Sequence, residues 1–112
     1  MSTRSGDIKD GRMKEIIREL ASQYISREGG KASLITVTNI QFDHTENKAL
    51  IYVSVFPDHK ETEAMDFLKR KRTELREFIT ENSSFGRIPY VDFLLDTGEK
   101  NRQRIEEISN MA

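Results

Sequence analysis

The chain of 112 residues contains no cysteine and no tryptophan. Without cysteine there is no disulfide framework, no thiolate metal site and no cysteine nucleophile. No stretch approaches the roughly 18 consecutive apolar residues of a membrane span. The opening MSTRSGDIKDGR carries no apolar run behind its basic residues and so does not read as a signal peptide. Together these absences predict a cytoplasmic protein that does not engage a membrane. A basic excess is also missing, because 18 Lys and Arg are offset by 19 Asp and Glu, for a net charge of -1. Any surface for a polyanion must therefore be a local patch on a divided surface. What is present, 36% hydrophobic and 33% charged residues, is enough for one well-solvated core and not for two.

The pattern along the chain is that of one domain over residues 13–112, preceded by a flexible polar arm over residues 1–12 with Gly6 and Gly11. From Met13 to Arg27, Met13, Ile16, Ile17, Leu20, Ala21, Tyr24 and Ile25 recur at helical spacing. Asp10 is placed to cap this helix, and Gly29-Gly30 to stop it. SLITVTNIQF and ALIYVSVF, separated by DHTENK, read as an antiparallel hairpin. Alternation puts Ala49, Ile51, Val53 and Val55 on one face. In the first strand Ile35, Val37 and Asn39 share a face, while Ile40 and Phe42 fall out of step. Pro57-Asp58 ends the hairpin and leads into helix over Lys60–Asn82. SSFGR is a turn, RIPYVDFLLD a third strand with Val91, Phe93 and Leu95 on one side, and the tail a short helix with Ile105 and Ile108 to bury. The order predicts an α+β domain with helices on one face of a small sheet, its second and third strands parallel across a helical crossover.

The long helix contains an inconsistency. Ala64, Leu68, Leu75 and Phe78 form an apolar seam, and Lys71 occupies its missing middle position. An unpaired ammonium buried there would cost several kcal/mol. Two outcomes relieve that cost: a break within Arg70–Glu74, or a lysine that snorkels to the seam's edge. The same place holds Lys69, Arg70, Lys71 and Arg72, with Arg76 one turn on. Such a run is a solvated helix face or, where an anionic partner exists, its densest set of donors. The break is the expected outcome, carrying Lys71 out of the seam to join Lys69, Arg72 and Arg76 on one surface that faces such a partner.

Other motifs carry less. Gly29-Gly30-Lys31 follows a helix and lacks the spacing of a phosphate loop. His44 and His59 sit in or beside turns with no second ligand at metal spacing. Asp92 and Asp96 lie in or after a strand, with Asp92 expected to face solvent, and read as no acid pair. Tyr24, Tyr52 and Tyr90 can stack on bases, although each also fits a core or sheet-surface role. No catalytic residue, metal site or cofactor is predicted.

Three strand motifs carry a resemblance: ITVTNIQF and ALIYVSVF of the hairpin, and RIPYVDFLLD. Ala49, Ile51, Tyr52 and Val53 in the second strand, and Ile88, Pro89, Phe93 and Asp96 in the third, resemble the ribosome-binding factor A family, as do Gly98 and Arg104-Ile105. The likeness runs from about Met13 to Ile108. It implies a type II KH-like fold in the order α-β-β-α(kink)α-β with a short C-terminal helix. Where that family carries an Ala-x-Gly kink for RNA contact, this chain has Lys71-Arg72-Thr73, and Thr45 stands where the family's hairpin turn has an aspartate. The resemblance further implies a non-enzymatic assembly factor, monomeric when free. It would bind 16S ribosomal RNA and free 30S subunits, aid late processing of the RNA's 5′ end, and matter most in the cold. The expected RNA-binding residues are Lys69, Arg70, Lys71, Arg72, Arg76 and Arg87. Two rival readings are a protein–protein interaction module, which the near-neutral charge favours, and a small ferredoxin-like enzyme, for which nucleophile, base and anion loop are all missing.

Overall fold

The computed structural model describes residues 2–29 and 33–98, with side chains from residue 11 onward. Its elements are α1 (Ser2–Glu28), β1 (Leu34–Asp43), β2 (Lys48–Phe56), a 3-10 turn (Asp58–Lys60), α2 (Glu61–Arg70), α3 (Arg72–Glu81) and β3 (Tyr90–Leu95). This is the predicted order, with the long helix in two pieces. The predicted C-terminal helix with Ile105 and Ile108 lies outside the described residues.

Helix α1 begins at Ser2, well before the start at Met13 expected from periodicity. Each glycine costs a helix only about 1 kcal/mol relative to alanine, and no proline stands in this segment to break it. Asp10, expected as a cap, therefore lies inside the helix. At the other end Gly29 donates its N–H to the Ile25 carbonyl at 2.7 Å, closing the last turn.

β1 and β2 pair antiparallel, and β2 and β3 pair parallel, giving a three-stranded sheet in the order β1-β2-β3. The hairpin turn is held by Asp43, whose Oδ1 accepts from the N–H groups of Thr45 (3.0 Å) and Glu46 (3.2 Å). Asn47 closes it at φ 55°, a left-handed conformation that asparagine tolerates. A bulge at Thr38 shifts the pairing: Val37 faces Val53, but Asn39 faces Tyr52. Before the bulge Ile35 and Val37 point to the core; beyond it Ile40 and Phe42 do. Asn39 is exposed and does not join that face, a correction to simple alternation.

The core lies between one sheet face and the helices. Ile17, Ala21, Ile51, Val53, Leu68, Leu75 and Ile79 are fully buried, and Leu20, Val91 and Phe93 nearly so. Val53, Val91, Phe93, Leu68, Leu75, Ile17 and Leu20 form one cluster, as the periodicity required. The third helix departs from the predicted seam by one position: Ile79 is buried while Phe78 packs at the margin. α1 packs over β1 and against α3, and α3 over β3, so α3 sits between α1 and the free edge of the sheet. Among the described residues no helix is long and apolar enough to cross a membrane.

Candidate nucleic-acid interface

The seam that Lys71 interrupts is where the helix breaks. Lys71 leaves α-geometry at φ -98° and ψ 6°, donating its N–H to the Leu68 carbonyl (3.0 Å) and accepting from the Leu75 N–H (2.9 Å). The break lets Leu68 and Leu75 both reach zero exposure while the Lys71 side chain stays one-third exposed. The penalty of burying an ammonium is thereby avoided.

The break does not gather the basic residues on one surface, and that expectation is corrected. Lys71 turns back along its own helices, with Nζ 3.1 Å from Glu74 and 6.0 Å from the centre of the Phe67 ring. Glu74 also accepts the phenolic proton of Tyr24 at 2.5 Å. Burial, reinforced by the Glu74 carboxylate, pushes the Tyr24 phenol well above its usual range, while the Tyr24 and Lys71 donors lower the Glu74 carboxyl. Arg72 turns the other way, toward β3: its Nη1 lies 3.1 Å from Asp92 Oδ1, and its Nε donates to the Lys69 carbonyl at 2.9 Å. Consecutive helical positions are about 100° apart, so neighbours in a basic run diverge.

Arg76 has a structural task. Its Nε donates to the carbonyls of Ile88 (3.1 Å) and Pro89 (3.3 Å), and its Nη2 to Ile88 (2.8 Å). Its guanidinium lies 4.5 Å from the centre of the Tyr90 ring. It thus ties the segment entering β3 to α3. Lys69, Arg70 and Arg87 are exposed, and their side chains make no hydrogen bond or ion pair with the described residues.

Along the β3 edge these groups line an open groove of about 270 Å³, formed by Lys48, Arg72, Thr73, Arg76, Tyr90 and Asp92 with Val91 behind. Sequence reasoning missed Lys48 as a groove residue. It also left Asp92 facing solvent, whereas its Oδ1 accepts from both Arg72 and the Phe93 N–H (2.8 Å). The parallel register supplied the missing signal, because it sets Lys48 beside Tyr90 and Leu50 beside Asp92. Among the described residues no three His, Cys, Asp or Glu side chains cluster to hold a metal ion.

The same architecture recurs in solved proteins. Ribosome-binding factor A from Thermus thermophilus superposes with a TM-score of 0.66 at 19% identity, over 76% of this chain and 93% of the other. A Thermotoga maritima candidate ribosome-binding factor A, solved in solution by NMR, gives 0.64 at 20% identity over 79% and 87%. At such identities the likeness establishes the fold, which is KH-like. No curated protein matches the chain. The sequence model of the family described as ribosome-binding factor A matches residues 9–109, which is most of the chain. By that match, and with the fold in agreement, the chain belongs to the ribosome-binding factor A family.

Proposed function

We propose that this protein is a ribosome assembly factor that binds 16S ribosomal RNA on the free, immature 30S subunit. In this reading it aids late maturation of the subunit, including processing of the RNA's 5′ end. It acts in the cytoplasm as a monomer when free, and is needed most at low temperature. The observation that carries the reading is the family match over residues 9–109. The exposed cations Lys69, Arg70 and Arg87 supply phosphate contacts, while Lys71, Arg72 and Arg76 contribute through whatever their internal partners leave free. At these cations recognition is by shape and backbone, and no bond is made or broken.

Co-sedimentation with free small subunits, mature subunits and whole ribosomes tests this. The protein should be enriched on free small subunits and released by added salt, because phosphate contacts displace counterions. Equal recovery on translating ribosomes, or none on any particle, refutes it. A second reading, docking to a protein partner, draws on Leu34 and Phe56, which pair across β1 and β2 and stand 66% and 71% exposed. Subunit binding that resists salt and is lost in Phe56→Ala would favour it.

A further inference from the structure

We propose that the groove along β3 holds one unpaired RNA nucleotide, its base stacked on Tyr90 and its phosphate at Lys48, an inference that rests on the RNA-binding reading above. Tyr90 is an aromatic residue left 58% exposed at the start of an edge strand. Its ring is nevertheless held in place. Arg76 lies against it, and Arg76 is itself fixed by the Ile88 and Pro89 carbonyls. A ring backed by a pinned guanidinium is a preorganised stacking platform, and a base laid on it completes a guanidinium–phenol–base stack. The faces of paired bases are hidden inside a duplex, so such a platform selects an unpaired nucleotide.

The surrounding charges orient that nucleotide. Lys48 is the register partner of Tyr90 on the adjacent strand, about 4.8 Å away in the backbone. Its ammonium now rests 3.1 Å from Glu46 in a surface pair that a phosphate can replace at little cost. Asp92, two residues beyond Tyr90, faces the same groove. Its Oδ1 is occupied by Arg72 and Phe93, whereas Oδ2 has no hydrogen-bond partner among the described residues. A carboxylate repels phosphate, so the backbone lies on the Lys48 side and the base edge meets Asp92. An exocyclic amino group, as on cytosine, donates to Oδ2; uracil carries a carbonyl oxygen in place of that amino group. The groove therefore prefers cytosine to uracil.

The test uses the full chain and fluorescein-labelled oligo(C) and oligo(U) of equal length, read by anisotropy, with small-subunit co-sedimentation in parallel. Wild type should bind oligo(C) more tightly than oligo(U). Tyr90→Ala should lose about tenfold in affinity for oligo(C), and Tyr90→Phe should stay within about twofold, since stacking needs the ring and not the hydroxyl. Asp92→Asn, whose amide can donate as well as accept, should bring the two oligomers together. Unchanged oligo(C) binding in Tyr90→Ala, or equal losses in the Ala and Phe variants, overturns the proposal. So does Tyr90→Ala that keeps oligomer affinity but leaves the subunit, which would assign the groove to a ribosomal protein. Wild type that sediments with subunits but binds neither oligomer sinks the nucleotide site and leaves the assembly reading intact. Failure to sediment with any particle sinks the assembly reading, while the oligomer titrations still decide the groove.

Discussion

The Tyr24 hydroxyl in α1 donates to the Glu74 carboxylate in α3 across 50 residues of sequence, and Lys71 at the helix break bonds the same carboxylate. Glu74 thus links the first helix to the turn between the second and third.

This link predicts a pH dependence at both ends. The Glu74 carboxyl is lowered in the fold, so its contribution is present above the ordinary value of 4.5 and is lost as pH falls through its lower folded value. The Tyr24 phenol is raised, so its contribution is present below 10.0 and is lost as pH rises beyond it. Glu74→Gln should melt below wild type at neutral pH, with the gap closing in acid. Tyr24→Phe should cost about 1 kcal/mol at neutral pH and narrow its gap above pH 10. Melting curves across pH check both; a gap that does not change with pH would deny the carboxylate its role.

Phe93 is 1% exposed and central to the cluster, so Phe93→Ala should cost about 3–5 kcal/mol in denaturant unfolding. Phe56→Ala, on a ring 71% exposed, should shift stability by no more than about 0.5 kcal/mol. A loss below about 1 kcal/mol at Phe93 would mean the wrong sheet face has been taken as the core.

Arg76 and Arg70 should separate stability from binding. Arg76→Gln leaves the Ile88 and Pro89 carbonyls without their donor and should lower the melting temperature by several degrees. Arg70→Gln with Arg87→Gln should leave the melting temperature unchanged, weaken subunit binding and make the salt slope shallower by about two contacts. Equal thermal effects from the two sets would contradict the structural assignment of Arg76.

Two glycines should respond oppositely to alanine. A Cβ at Gly29 would stand 2.5 Å from the Ile25 carbonyl oxygen, so Gly29→Ala must open the last turn of α1 and should cost about 1–3 kcal/mol. At Gly86 a Cβ meets nothing within 4 Å, and Gly86→Ala should be neutral or stabilise by about 0.4–1 kcal/mol through the unfolded chain. Urea titrations of the two variants decide it.

The order of elements, the parallel crossover and the core cluster were legible because periodicity reports burial directly. So was the helix break: a lysine at a seam position between Leu68 and Leu75 admits few solutions, and a change of helix direction is one. What followed the break was not legible. Whether Lys71 and Arg72 share a surface depends on which elements flank α3, and those neighbours, Tyr24 and Asp92, lie far away in sequence. Arg76 misled for a related reason, since a guanidinium that serves two backbone carbonyls looks like any surface cation until the strand entry is in place. The start of α1 was missed because polar residues and glycines weaken a helix without forbidding it. Tyr90 and Asp92 were weighed singly, and the groove emerges only when strand register sets them beside Lys48.

The bulge at Thr38 has a consequence for misfolding. It divides β1 into two halves whose apolar residues fall on odd positions, Ile35 and Val37, and then on even ones, Ile40 and Phe42. Sliding this strand along β2 by one residue would turn both halves over together, driving Asn39 and Gln41 inward while expelling all four apolar side chains. A shift confined to one half requires the bulge to move or vanish, which changes the strand's length against its partner. Slippage therefore has no partly satisfied intermediate to pause in, and a single unpaired threonine guards the hairpin against sampling neighbouring alignments.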